Sequence, residues 1–361
     1  METDTFLELN QILAHYDLGQ LIDLEKNERG YINTSFAIDT MAAGKRQRYF
    51  LRRYKREIRE QELVFEHSVI DHLLEKDFNL VARVMKIRDG RSYVRQEDAQ
   101  GLLFYAIFEY LQGEDKYTWI SPVCEQSELK SAAALLAGFH NAVFAWVPRG
   151  RRSEPRIIDL LPGLYKTVEG WQTLSKGSAL DAYLLENQSR ILGAVERTAG
   201  FLNRPENRQV VQLVIHCDYH PGNLKFKDGE AIGVFDFDWS KLDARCFDLG
   251  LALFYFFSSW EPRTDGQLRL DELAAFVEAY QGALRGVPGV GSLTPVEQSC
   301  LPWMVAAGGL YVLNWTLQDY LHKEVDVKEY LVYLRHCANQ VYWLEDAHNR
   351  EHLVAALRSA N

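Results

Sequence analysis

The chain has 361 residues, of which 47% are hydrophobic and 25% charged, the composition of a globular protein long enough for two domains with separate cores, so disorder is excluded. A formal net charge of -10 argues against a general binder of nucleic acid or anionic membrane, which needs clustered positive surface. Five scattered cysteines, Cys124, Cys217, Cys246, Cys300 and Cys337, include no Cys-x-x-Cys pair, which suggests neither a disulfide framework nor a zinc site and points to a reducing cytoplasm.

Residues 1–5 are acidic and lack the basic start and apolar core of a signal peptide. Helical apolar spacing over 5–16 predicts an accessory helix. The segment 27–38 predicts a loop rising into a strand and contains Gly30, Asn33, Thr34 and Ser35. It has neither a Walker-type Gly-x-x-x-x-Gly-Lys nor the triple-glycine loop of protein kinases, and alone it reads equally as a plain hairpin. The next strand, 48–54, carries Arg52 and Arg53 at the end of an apolar run; neighbours on a strand point to opposite faces, so one of the two is solvated.

A helix over 57–76 has an apolar face of Leu63, Phe65, Val69, Ile70, Leu73 and Leu74 and also carries Glu62 and Glu66. Strands follow at 92–96 and 102–109. The polar, glycine-containing stretch 110–115 then breaks the alternation and sets a boundary between domains 1–111 and 112–361. Helical periodicity marks 127–145, 180–202, 271–285, 299–321 and 327–349. The apolar run 247–260 contains Asp248, is too short to span a bilayer, and reads as a buried helix.

Between these helices, the loop 216–223 places Asp218 and Asn223 five residues apart. Two short strands, 224–226 and 231–235, are joined by a turn with the Asp228-Gly229 hairpin signal. Asp236 follows the second strand, and Asn223 and Asp236 are expected near each other at the open end of that hairpin. Phosphoryl transfer needs such a set: one carboxylate orients and deprotonates an attacking hydroxyl, while an amide and a second carboxylate hold magnesium against a nucleoside triphosphate. Asp and Asn are also common turn residues, and either alone would be structural; the joint pattern, with His216 two residues before Asp218, decides. His216 and His220 have no carboxylate cluster at ligand spacing and make a poor zinc site.

The string His216-x-Asp218-x-x-x-x-Asn223, the segment Asp236-Phe237-Asp238 and the later Phe247-Asp248-Leu249-Gly250 resemble the aminoglycoside phosphotransferase and choline kinase superfamily. The nearest likeness is to its branch of type II homoserine kinases, N-acetylhexosamine kinases and stress-response kinases, and it spans nearly the whole chain. The resemblance implies an α+β, bilobal protein-kinase-like fold, with an antiparallel sheet in the N-terminal lobe and a mostly helical C-terminal lobe. It implies ATP and Mg as cofactors, Asp218 as the catalytic carboxylate with His216 bracing its loop, and Asn223 and Asp236 as metal ligands.

It further implies that Gly30, Asn33, Thr34 and Ser35 cover the phosphates and that Arg52 grips them through its planar fork in place of a lysine. Glu66 is the expected partner of Arg52, with Glu62 as second candidate. The crossover from Glu109 through Leu111 is expected to pack the adenine. Cys217 stands where aminoglycoside kinases often have glycine, and His220 falls in the variable part of the motif. Asp238 reads either as a further magnesium or substrate contact or as a turn cap; Asp248 is expected to cap its helix and buttress the loop.

The acceptor is less legible. Trp239, Trp260, Trp303, Tyr311, Trp315 and Tyr320 could stack on a sugar or enclose a quaternary ammonium, although core packing explains most of them; Asp319 and Glu261 could meet an amine. The expected activity is ATP- and Mg-dependent transfer to a hydroxyl of a small metabolite: an amino alcohol, a homoserine-like amino acid or a sugar. A stress-response-type protein Ser/Thr kinase is the alternative, although no Ala-Pro-Glu end follows Asp236. A silent pseudokinase is the third, disfavoured because Asp218, Asn223 and Asp236 are all intact. The expected partner is a small-molecule hydroxyl acceptor, with no nucleic acid and no membrane, acting on a cytoplasmic monomer or homodimer.

Overall fold

Alternation of apolar and polar residues builds an antiparallel sheet in the first third of the protein, whose computed structural model describes residues 2–27 and 33–359. Its strands are β1 (Gln20–Asn27), β2 (Thr34–Ala42), β3 (Lys45–Arg53), β4 (Val94–Asp98) and β5 (Gly101–Glu109), in the order β1-β2-β3-β5-β4 among the described residues. The β2–β3 connection is the two-residue turn Ala43-Gly44, with φ of 48° and 75°. Positive φ at both positions matches the right-handed twist of the flanking strands.

Strand periodicity separates the two faces of β3. Tyr49 and Leu51 join a core that includes Leu9, Ile12 and Leu13 of α1 (Glu2–Leu13), and Arg53 reaches Glu8 of the same helix at 3.3 Å. Arg52 therefore faces the other way, where Glu66 of α2 (Glu60–Glu75) meets it. The strand β1 was not expected: its sequence, Gln-Leu-Ile-Asp-Leu-Glu-Lys-Asn, buries few side chains because it lies at the sheet edge, so alternation is weak.

The chain divides into two compact units that are discontinuous in sequence. The first comprises Met1–Gly113, Val147–Arg152 and Ile232–Asp238; the second comprises Glu114–Trp146, Ser153–Ala231 and Trp239–Asn361. Residues 147–152 join the first unit against α2, where Arg151 donates its N–H to Gln61 O at 3.0 Å. Residues 232–238 join it through Val234, whose N–H bonds Leu80 O at 2.8 Å.

The second unit is mostly helical: α3 (Gln126–Ala142), α4 (Ile157–Glu169), the short α5 (Trp171–Leu174), α6 (Ala179–Leu202), α7 (Arg245–Phe257), α8 (Leu270–Leu284), α9 (Pro295–His322), α10 (Val327–Glu345) and α11 (Ala347–Ser359). Every residue of α7 is buried, which explains its apolar run after Asp248. It crosses α9 so closely that a Cβ on Gly250 would fall 2.6 Å from the backbone carbon of Met304. Among the described residues, α9 is the one helix long and apolar enough to cross a membrane, and most of it is buried in this unit.

The single helix expected over 327–349 is two. Asp346 breaks it with extended backbone (φ -64°, ψ 125°), and its carboxylate accepts the N–H groups of His348 and Asn349 at 2.8 and 3.4 Å. An Asp at such a position competes with helix continuation by capping the next helix. Helix α4 was missed; Pro162 lies inside it and obscured the pattern. A two-stranded ladder of β6 (Gln212–Ile215) and β9 (Lys241–Ala244) also lies in this unit. The hairpin of β7 (Leu224–Lys227) and β8 (Glu230–Val234) turns at Asp228-Gly229, with φ of 52° and 80°.

Candidate active site

In the first unit the charged residues converge on Arg52. Its guanidinium donates to Glu66 Oε1 at 3.1 Å and to Asp236 Oδ1 at 2.8 Å. Arg52 is only 7% exposed and Glu66 2%. Burial would weaken the Arg52 charge, but Asp236 and Glu66 outweigh it and hold the guanidinium above its ordinary range. Burial pushes the Glu66 carboxyl up to about 7, with Arg52 and the Tyr54 hydroxyl pulling against it. Tyr54, missed by the sequence reading, donates to Glu66 Oε2 at 2.9 Å. Its oxygen then accepts from His67 Nε2 at 3.0 Å, leaving His67 Nδ1 to accept from the Ser92 hydroxyl at 2.7 Å. A signal was present: Tyr54 lies two residues after Arg52 and shares its strand face.

Glu62, the second candidate partner, is taken by its own helix. Its carboxylate accepts the Arg59 N–H at 3.2 Å in a capping box. Asp236 has φ +69°, a left-handed conformation that Asp tolerates better than most residues. The Asn33 amide donates to Asp238 Oδ2 at 2.8 Å and accepts the Lys55 N–H at 3.0 Å, so Asp238 anchors the segment that enters β2. The Thr34 hydroxyl accepts from Arg53 at 3.4 Å, and Ser35 is buried in β2 opposite Arg52. Glu109 ends β5, with its N–H donated to Arg83 O at 2.9 Å; Leu111 follows, half-buried. Gly30 lies outside the described residues.

In the second unit, β6 leads into the loop 216–223. Buried Asp248 accepts the backbone N–H groups of His216 and Cys217, both at 2.8 Å, and the His140 ring at 2.9 Å. The expected helix-capping role of Asp248 is therefore incorrect. Helix α7 starts after Ala244 with no side-chain cap, and the Asp248 oxygens are spent on the loop and on His140. Cys217 has φ +63°, the region where glycine is least strained and another residue costs of order 1 kcal/mol or more.

Asp218 follows this bend. Its Oδ2 and its backbone O both accept from Asn223 Nδ2 at 2.9 Å, which orients the Asn223 amide. His220 Nε2 lies 3.6 Å from Asp218 Oδ2. Burial raises the Asp218 carboxyl, but His220, His216 and Asn223 outweigh it and hold it below the ordinary range, so it is ionised at neutral pH. Asn223 and Asp236 belong to different units. Among the described residues no group of three or more His, Cys, Asp or Glu could hold a metal ion, and a surface cavity lined by Cys124, Leu129, Lys130 and Glu272 contains none of the predicted site residues.

Comparison with known proteins adds the relationship. The model of the phosphotransferase enzyme family matches residues 23–288. A homoserine kinase of Parvibaculum lavamentivorans is 26% identical over 337 residues, covering 91% of this chain and 92% of that protein. One from Zymomonas mobilis is 22% identical over 325 residues, covering 90% and 88%. Among solved structures, a microcompartment-associated aminopropanol kinase has a TM-score of 0.66 at 19% identity, covering 96% of this chain and 98% of that one. The amicoumacin kinase hAmiN, in complex with AMP-PNP, Ca2+ and Ami, has 0.66 at 16%, covering 94% and 93%. These likenesses show the protein-kinase-like fold.

Proposed function

The chain belongs to the phosphotransferase enzyme family, and from that membership we propose that it moves the γ-phosphoryl group of ATP, with Mg2+, to the hydroxyl of a small amino alcohol or homoserine-like metabolite. The observation that carries this reading is the buried Arg52 guanidinium held between Glu66 and Asp236. A planar cation fixed in this way is suited to nucleotide phosphates, and a carboxylate beside it is suited to their metal.

Magnesium takes hard oxygen ligands, and each unit taken by itself offers one. Asp236 offers a carboxylate, and Asn223 offers its amide oxygen, because the amide nitrogen is committed to Asp218. When bound, the ion would neutralise phosphate charge. Asp218 would orient the acceptor hydroxyl and take its proton. Arg52 would hold the phosphates, with Glu66 and Tyr54 fixing its fork. His216 would seat Asp218 through the backbone contacts of Asp248.

The homoserine kinases and the aminopropanol kinase among the similar proteins support an acceptor with both an amine and a hydroxyl. The test is incubation of purified protein with Mg-ATP and individual acceptors: homoserine, aminopropanol, ethanolamine, sugars and a generic protein substrate. Transfer to one of the first three, with Asp218→Asn about 10²-fold slower or worse at nearly unchanged Mg-ATP affinity, is the expected result. Transfer only to protein, or an Asp218→Asn variant of full turnover, would refute it.

A further inference from the structure

The roles above leave His220 without a task, yet its ring is held on several sides. The Gly222 N–H donates to His220 Nδ1 at 3.0 Å. A backbone N–H can only donate, so Nδ1 carries no proton and the hydrogen of the neutral ring sits on Nε2. That Nε2 faces Asp218 Oδ2 at 3.6 Å, the same oxygen that accepts from Asn223 at 2.9 Å. The Tyr255 ring meets the imidazole edge-to-face, with centroids 5.2 Å apart. Gly222 leaves the room: a Cβ there would lie 2.9 Å from His220 Cε1, 3.0 Å from Nδ1 and 3.2 Å from Thr118 Cα.

We propose that His220 is a positioning residue which, through its Nε2–H, fixes the rotation of the Asp218 carboxylate so that Oδ1 is presented to the acceptor hydroxyl. The role rests on the phosphotransferase reading given above. Asn223 donates to Oδ2 at 2.9 Å and His220 Nε2 stands 3.6 Å from the same oxygen; once it closes to hydrogen-bond distance, two donors on Oδ2 oppose rotation about the Cβ–Cγ bond and leave the other oxygen to receive the proton. A gap of 3.6 Å is long for a hydrogen bond, and such contacts commonly tighten when substrate binds. The competing explanation is that His220 only caps the 3-10 turn Pro221–Asn223.

Two substitutions separate these explanations. His220→Asn keeps an acceptor near Nδ1 for the Gly222 N–H and loses the donor aimed at Asp218. His220→Gln does the reverse, placing an amide nitrogen near the position of Nε2. If the ring positions Asp218, His220→Asn keeps wild-type thermal stability and loses about 10- to 100-fold in kcat with the KM for ATP near wild type, while His220→Gln recovers part of kcat. In an Asp218→Asn background neither substitution lowers kcat further. Wild-type kcat in His220→Asn, or a loss confined to the KM for ATP, would overturn the role. Independently of turnover, two-dimensional 15N spectra of the histidine rings in the wild-type protein should show His220 as the Nε2–H tautomer, and an Nδ1–H tautomer would overturn it. A wild-type protein with no transfer to any acceptor would instead sink the phosphotransferase reading, whatever the tautomer.

Discussion

Arg52 is caught between two carboxylates, and at the scale of single residues that arrangement sets what substitution should do. Removing the cation leaves Glu66 buried without its partner, a type of lesion that costs about 3–5 kcal/mol. Arg52→Ala should therefore weaken ATP binding, lower turnover and lower stability together. Arg52→Lys should recover only part, because an ammonium cannot reproduce two separately aimed contacts. Arg53, paired with Glu8 and Thr34 on the opposite strand face, should tolerate alanine with little kinetic effect. Glu66→Gln should resemble a milder Arg52 lesion, and a double-mutant cycle on ATP-dependent turnover should show a coupling well away from zero. Strict additivity, or a larger loss at Arg53 than at Arg52, would remove Arg52 from the phosphate-binding role.

Between elements, α7 and α9 approach each other backbone to backbone. Gly250 has no room for a side chain against Met304, and the backbone of Leu251 lies 3.1 Å from where a Cβ on Gly308 would be. Helix α7 also carries Asp248, which holds the loop 216–223, so separating these helices would loosen that loop as well. Gly250→Ala should cost about 1–3 kcal/mol of stability and lower turnover. Gly200 of α6 is an internal control, since a Cβ there would meet nothing within 4 Å. At that position alanine should stabilise by about 0.5–1 kcal/mol, because glycine loses more backbone entropy in a helix. Urea unfolding of both variants measures this directly; equal effects at the two sites would refute the packing argument.

For the molecule as a whole, acid sensitivity should reflect a buried neutral histidine. His67 lies behind Tyr54 and Glu66, and burial, aided by Lys86 and Arg52, lowers its pKa to about 3. A histidine whose folded value lies below its ordinary value of about 6.5 contributes stability above that value. The contribution is lost as pH falls toward 3, because the unfolded chain binds the proton first. The expected slope is at most about 1.4 kcal/mol per pH unit in that window. Denaturant unfolding between pH 7 and pH 4 should show His67→Gln less stable at neutral pH but with a shallower acid decline than wild type. Parallel declines would exclude His67 as the source.

The family relationship, the Asp228-Gly229 hairpin and the long helices of the second unit were legible in the sequence because each depends on short-range spacing. A spacing of five positions from Asp218 to Asn223 confines both to one loop, whatever surrounds them, and a two-residue Asp-Gly turn dictates its own backbone. Residue choices that depend on packing were not determined in this way. Arg52 and Arg53 are chemically identical neighbours, and only the burial of α1 against one sheet face and α2 against the other separates them. Glu62 and Glu66 differ in the same respect: one closes its own helix end, while the other is carried one turn further to meet a cation. Asp248 and Tyr255 acquire their contacts to the loop 216–223, to the backbone of His216 and Cys217 and to the His220 ring, only because α7 carries them to it. Covalent spacing acts along the chain and can be read there, whereas the direction in which a side chain is buried is set by the elements packed around it.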